Sequence, residues 1–394
     1  MLLAHELTEL DGFAPVLAAL PGPAYLVGGT VRDILLRRTP TFDFDLAVVG
    51  DAETFARALA VRLGGRVTTH GRFGTATVHY DDAAHVDVAT TRTERYAAPA
   101  ALPDVTAADT IEQDLARRDF TINAMAISLP GGELVDPFRG LRHLQEHLVR
   151  VLHERSFVDD PTRIFRGARY EVRLGFRMDP KTETLALLAA DGIARLSGAR
   201  IREELAAVFA EPDAAAVLAR LHELRVDEAL DLRFPVRGDV LARLRELNAR
   251  YGVGLTPIHL GLLSIEAPPG RLDELQVERR VATGVETAHA EAPRLRERLA
   301  VVSAPAEIAD AIERSGPDTP LYLLALGDLP ALHTWFERLR KVQLEVDGDD
   351  LAALGLAESP RVGEILAELR RRKLNGDLDG RAAELAAARE LLAE

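Results

Sequence analysis

Asp43 and Asp45 stand one residue apart in Thr41-Phe-Asp-Phe-Asp-Leu-Ala-Val-Val49, just downstream of the glycine turn Leu26-Val-Gly-Gly-Thr-Val-Arg-Asp33. Residues two apart on a strand point to one face, so the two carboxylates repel unless cations lie between them. Hard oxygen ligands of this kind select Mg²⁺, which takes one or two carboxylates and completes its shell with water and substrate phosphates. That is the chemistry of phosphoryl transfer. Gly28 and Gly29 allow a backbone to approach a phosphate closely, and Val31-Arg32-Asp33 opens a helix whose amides and Arg32 suit a triphosphate tail. Taken alone, an Asp-x-Asp pair on a strand edge is usually a solvated, aggregation-blocking charge pair.

Two further blocks narrow the choice. Arg117-Arg-Asp-Phe-Thr-Ile-Asn-Ala124 brings a phosphate-holding cation, Arg118, next to Asp119 and Asn123, whose side chains can accept from and donate to ribose hydroxyls. The bland alternative is a solvated basic turn before a buried strand. Phe157-Val-Asp-Asp-Pro-Thr-Arg-Ile-Phe-Arg-Gly-Ala-Arg-Tyr170 carries Asp160, Arg163, Arg166 and Arg169, and three-residue spacing keeps such side chains on neighbouring helix ridges.

Asp160 and Arg163 together can choose a base without a nucleic-acid template. Adenine and cytosine each offer an exocyclic amino donor beside an unprotonated ring nitrogen, whereas guanine and uracil offer a carbonyl beside a ring N–H. A carboxylate facing the amino group and a guanidinium facing the ring nitrogen fit A and C. They oppose G and U, because a polar site strongly rejects ligands that leave its groups unpaired. The competing reading is an ordinary helix ion pair.

These blocks resemble the head of the DNA polymerase beta superfamily, specifically the class II tRNA nucleotidyltransferases and bacterial poly(A) polymerases. Ser197-Gly-Ala-Arg-Ile-Arg-Glu-Glu-Leu205 resembles the neck motif of that family, although Arg200 and Glu204, four apart, also suit simple helix stabilisation. The strong resemblance covers roughly residues 24–205. It departs at Asp159-Asp160, where Glu-Asp is usual, and at Gly167, where alanine is usual; a mid-helix glycine costs about 1 kcal/mol relative to alanine.

The resemblance implies an α+β chain, with a mixed-sheet nucleotidyltransferase head over residues 1–150 and an all-α remainder. The remainder divides into a neck with the nucleotide-selecting motif (151–215), a body (216–345) and a tail that contacts tRNA (346–394). It implies that Asp43 and Asp45 hold Mg²⁺, that Gly28, Gly29, Arg32 and Arg118 position the triphosphate, and that Asp119 and Asn123 meet the ribose. Asp160 and Arg163 would select the base of ATP, or of CTP, while Arg166 and Arg169 touch nucleotide phosphate or the primer end. The implied reaction adds the terminal A to the 3′ end of tRNA. Full CCA addition, CC addition and poly(A) polymerisation share the same head chemistry, and a catalytically silent tRNA-binding protein is the rival from another class.

The strands that must carry these residues are readable at Tyr25–Val27, Phe44–Val49, Arg66–Thr69, Thr75–Tyr80 and His85–Ala89. An amphipathic helix is expected over Ala52–Leu63. Asp87, on the last of those strands, is a candidate third carboxylate by superfamily analogy. Thr91–Thr110, with its prolines and small residues, reads as a long loop, and loops of that length are commonly functional or disordered. A-adding relatives carry such a loop where C-restricted ones have it shortened, which favours A addition. Beyond Arg150 the pattern is helical nearly throughout.

Composition limits the alternatives. The chain has 394 residues, 47% of them hydrophobic, no cysteine and a net charge of −14. Disulfides and thiolate metal sites are therefore excluded, and the acidic balance argues against a general polyanion binder. Arg150, Arg155, Arg173, Arg177 and Lys181 nevertheless crowd the segment around the third block, so a local positive groove is compatible with an acidic molecule. No apolar run reaches transmembrane length, and the N-terminal residues lack an export pattern; the expected location is cytoplasmic.

Overall fold

The computed structural model describes residues 1–10, 12–38, 43–70, 74–81, 84–234, 239–356 and 359–393, the side chains of residues 43 and 239 excepted. Two compact units divide the chain, Met1–Leu232 and Arg233–Glu394.

A seven-stranded mixed sheet organises the first unit. Its strands are β1 (Ala24–Val27), β2 (Asp43–Val48), β3 (Arg66–His70), β4 (Thr75–His79), β5 (His85–Thr90), β8 (Ala126–Leu129) and β9 (Leu134–Val135). They run in the order β3-β4-β5-β2-β1-β8-β9, and only the β2–β5 pair is parallel. A parallel pair requires a crossover, and the helix Ala52–Leu63 is part of the connection from β2 to β5. The Asp51 carboxylate caps its N-terminus by accepting from the amides of Glu53 and Thr54, and Gly64 ends it in the left-handed conformation, φ 69°.

Alternation places the chemistry. Phe44 and Leu46 of β2 are buried against the helical layer, where the Phe44 and Phe13 rings lie 4.8 Å apart, while Asp45 between them is exposed on the other face. The same alternation on β5 buries Val86 and Val88 and leaves Asp87 half-buried on the face shared with Asp45.

The segment expected to be one long loop is a hairpin. β6 (Arg92–Arg95) pairs antiparallel with β7 (Asp104–Ala107), and Thr93 Oγ1 meets Thr106 Oγ1 at 2.7 Å across the ladder. The cause is local: Thr93, Val105 and Thr106 favour strands, and Pro99 and Pro103 both fall in the connection, where no ladder amide is required. The segment after Arg150 also departs from a purely helical pattern, since β10 (Leu148–Val149) pairs in parallel with β11 (Arg177–Met178) around the helix Thr162–Leu174. Gly167 sits inside that helix because the helix packs closely there: an added Cβ would lie 2.5 Å from Met178 Cε and 3.0 Å from the Phe120 ring.

The second unit, as described, is built from helices joined by short turns, the longest being Arg279–Leu299. In the helix Pro360–Asn375 the basic run Arg370-Arg-Arg-Lys373 is neutralised internally, by Glu313, Glu368 and Glu384. No described helix is long and apolar enough to cross a membrane.

Candidate active site

One cavity of about 760 Å³ in the first unit gathers most of the predicted residues: Gly28 and Gly29, Asp45 and Asp87, Arg118, Asp119 and Asn123, and Asp160, Arg163 and Arg166. Its floor is the sheet. Asp45 is in register with Val27 of β1 on one side and with Asp87 of β5 on the other. Thr77 of β4 donates to Asp87 at 2.6 Å and so fixes that carboxylate beside Asp45. Asp43 opens β2, but its side chain lies outside the described residues. No three histidine or carboxylate side chains among the described residues converge on a single metal position.

Gly28 is required on two counts. Its φ is 81°, and a Cβ there would stand 3.0 Å from Asp45 Oδ2. Arg32, in the helix Gly29–Leu35 that follows, is not part of the cavity wall. It is buried, donates to both oxygens of Asp33 at 3.0 and 3.1 Å and to Asn123 Oδ1 at 2.9 Å, and lies 5.4 Å from the centre of the Tyr170 ring. Arg32 thus holds the Asn123 turn in place.

Asp119 and Asn123 line the cavity with their polar atoms already engaged. Asp119 Oδ1 accepts from the Phe120 amide at 2.7 Å and from Asn123 Nδ2 at 3.0 Å, and Oδ2 accepts from Arg166 Nε at 2.8 Å. Arg166 is thereby aimed along the wall. Arg118 donates to Asp114 at 3.1 Å, and its Nε is buried without a hydrogen-bond partner. Such an orphaned donor suits a ligand that brings oxygens.

Asp160 and Arg163 lie at the other end. Asp160 Oδ1 accepts from the Thr162 amide at 3.1 Å, the Thr162 hydroxyl at 2.7 Å and Arg200 Nη2 at 2.8 Å. Arg163 is locked by Ser156 Oγ at 2.7 Å and the Arg117 carbonyl at 2.8 Å. Arg200 also donates to the Ala100 carbonyl at 2.9 Å, and the Ala100 amide donates to the Val158 carbonyl at 3.2 Å, so the β6–β7 connection is docked on the turn that carries Asp160. Arg169 is not brought to the cavity; its Nε donates to the buried Glu211 at 2.8 Å, which Arg173 shares.

Comparison with known proteins gives a consistent assignment. Residues 24–150 match the poly A polymerase head domain, and residues 175–230 match the probable RNA and SrmB-binding site of polymerase A. The CC-adding tRNA nucleotidyltransferase of Deinococcus radiodurans is 32% identical over 87% of this chain and 83% of its own length. The chain belongs to the tRNA nucleotidyltransferase family. The A-adding tRNA nucleotidyltransferase of Geobacter sulfurreducens is 32% identical over 92% of this chain, which spans 44% of that protein. The Thermotoga maritima CCA-adding enzyme complexed with tRNA is 28% identical with a TM-score of 0.78, covering 100% of this chain and 98% of its own. The chain spans about half the length of the A-adding relatives it matches.

Around these residues lies a supporting layer that the sequence blocks omit. Asp114, almost fully buried, binds Arg117 at 2.9 Å, Arg118 at 3.1 Å and the Arg92 amide at 3.1 Å, and Arg117 reaches Glu94 at 3.0 Å. The spacing of Asp114 to Arg117 and Arg118, three and four residues on a helix, is the signal that could have found it. Tyr96 and Tyr170 also line the cavity. Burial pushes the Tyr96 hydroxyl up to about 12, so it stays a hydrogen-bond donor, here to Glu94. Tyr96 has no comparable spacing signal.

Burial acts to raise Asp119 and Asp114, but the guanidiniums of Arg166 on one, and of Arg117 and Arg118 on the other, hold both below the ordinary carboxylate range. A folded-state pKa below the unfolded value stabilises the fold above the unfolded pKa, and that stability is lost as pH falls through the folded pKa. Thermal melts of the protein between pH 6 and pH 2.5 should therefore show Tm falling from about pH 4 downward. Asp119→Asn should shallow that slope, and an unchanged slope would show that Asp119 contributes none of it.

Proposed function

We propose that the protein is a template-independent tRNA 3′-end nucleotidyltransferase that adds the terminal A, taking ATP and releasing pyrophosphate. The observation that carries this reading is the shared cavity, with Asp45, Asp87 and Arg118 suited to phosphoryl transfer and Asp160 and Arg163 suited to reading adenine or cytosine. A-addition is supported by three relatives of that name. The tRNA partner is supported by the family membership, and a cytoplasmic location fits a chain with no membrane-length helix among its described residues.

The donor set fits Mg²⁺: two carboxylates, Asp45 and Asp87, stand in register on neighbouring strands and both line the cavity. Asp45, with Asp43 from the same strand and with Asp87, would hold the ion. When bound, it would lower the pKa of the attacking 3′-hydroxyl and neutralise charge developing on the pyrophosphate. Arg118 holds phosphate oxygens. The Gly28 backbone leaves room for the tail. Asp119 orients Arg166 toward the nucleotide or primer, and Arg32 fixes Asn123 at the edge of the site. Asp160 has one oxygen saturated by protein donors, which leaves the other to accept from the exocyclic amino group, while Arg163 presents its remaining donors to the ring nitrogen. We read residues 1–150 as head, 151–215 as neck, 216–345 as body and 346–394 as tail.

The test uses tRNAs ending before CCA, after C and after CC, each with labelled ATP or CTP. A single A added to the CC end, with little incorporation on tRNA lacking both C residues, is the expected result. Efficient CTP incorporation onto tRNA without the CC end would instead assign full CCA addition, CTP incorporation alone would assign CC addition, and long A tails on unrelated RNA would assign poly(A) polymerisation.

A further inference from the structure

Glu204, on the helix Gly198–Ala210, is the exception among the hydrogen-bonded carboxylates of the cavity. Glu94, Asp114, Asp119 and Asp160 each accept from arginines, and Asp87 accepts from Thr77. Glu204 also lines the cavity, yet its Oε2 is buried without a hydrogen-bond partner. The nearest cation, Arg169 Nη1, is 3.8 Å away, beyond hydrogen-bonding distance, and Arg169 is already bonded to Glu211. Arg166 is likewise committed to Asp119. Burial raises the Glu204 carboxyl above its ordinary range, with Asp160 adding to that effect and Arg166, Arg169 and Arg200 opposing it.

A buried acceptor without a donor destabilises a fold, and each such group in a folded protein calls for an explanation. The simplest here is a ligand that brings the donor. The triphosphate is better placed at Arg118, since an ionised Glu204 would repel phosphate oxygens. The incoming base is taken by Asp160 and Arg163. What remains to fill this corner is the RNA end, whose terminal cytidine carries an exocyclic amino group and a ribose 2′-hydroxyl, both donors.

We propose that Glu204 is a specificity-determining residue that accepts a hydrogen bond from the 3′-terminal nucleotide of the RNA substrate. This rests on the nucleotidyltransferase reading above.

The test is a cycle of protein and RNA changes on the full chain, measured as kcat/KM for RNA. The RNAs end in CC, in CU, which lacks the amino group, and in C followed by 2′-deoxycytidine, which lacks the hydroxyl. With the wild-type chain one of the two altered ends should lose about tenfold to a hundredfold, the worth of one hydrogen bond to a charged group. Glu204→Ala and the bulkier Glu204→Leu should lose a similar factor on the CC end, leave KM for ATP unchanged, and no longer distinguish that altered end from CC. Glu204→Gln, which keeps an acceptor oxygen, should recover most of the loss. Removing an unpaired buried carboxyl should leave the Tm of Glu204→Leu at or above that of wild type, whereas a purely structural role would lower it. Equal penalties for both altered ends in wild type and variants would overturn the proposal while leaving the nucleotidyltransferase reading intact. Failure of the wild-type chain to extend any tRNA would overturn that reading as well.

Discussion

Asp45→Ala is expected to abolish nucleotide transfer, by about a thousandfold or more in kcat, while leaving affinity for tRNA close to unchanged. Asp45 is the described carboxylate of β2 that faces the cavity, in register with Asp87 and against the Gly28 turn. A metal ligand in phosphoryl transfer contributes several kcal/mol to the transition state, and each 1.36 kcal/mol is tenfold in rate. Its contribution to RNA binding should be small, because the carboxylate would otherwise repel the RNA backbone. Single-turnover extension of tRNA ending in CC, with binding measured separately by filter retention, separates the two quantities. Near-normal turnover by folded Asp45→Ala at saturating Mg²⁺ would remove the metal-ligand assignment. Asp87→Ala should show a smaller defect, since Thr77 already engages one of its oxygens.

The residues that meet in the cavity were legible because their chemistry is periodic. Strand alternation sets Asp45 and Asp87 on the cavity face, and three-residue spacing sets Arg163 and Arg166 on one flank of the helix Thr162–Leu174, with Asp160 in the turn just before it. Alternation also gave five strands of the sheet, since Phe44, Leu46, Val86 and Val88 each mark a buried face. What sequence could not supply was side-chain partnership across long separations. Arg32 and Arg169 carry the same charge as Arg118, but Asn123, 91 residues away from Arg32, and Glu211, 42 residues from Arg169, turn both into internal supports. Arg118 keeps a free N–H because Asp114 and the Asn123 carbonyl satisfy only its terminal nitrogens. The hairpin at Arg92–Ala107 was hidden for a different reason. Its two prolines dominate the local signal, although they fall in the connection and leave both strands intact.

Asp160→Ala is expected to relax discrimination against GTP and UTP by about tenfold to a hundredfold, with a much smaller change in binding of the triphosphate moiety. The argument starts from the way the residue is held. Three protein donors converge on Oδ1, so the carboxylate cannot rotate freely, and in the proposed role Oδ2 is the oxygen left to accept from the base. An amino group of adenine or cytosine then gains a hydrogen bond to a charged group, worth about 1.5–3 kcal/mol, while a guanine or uracil carbonyl meets acceptor against acceptor. Alanine removes both the gain and the repulsion, which is why the ratio between nucleotides should change more than the affinity for any one of them. Arg163 remains in place in this variant, because its anchors are Ser156 and the Arg117 carbonyl and not Asp160. Incorporation of each of the four nucleotides onto tRNA ending in CC, compared as kcat/KM, measures the ratio directly. An equal loss for ATP and GTP would make Asp160 a structural support for the turn and for Arg200, and base selection would then have to reside in Arg163 alone.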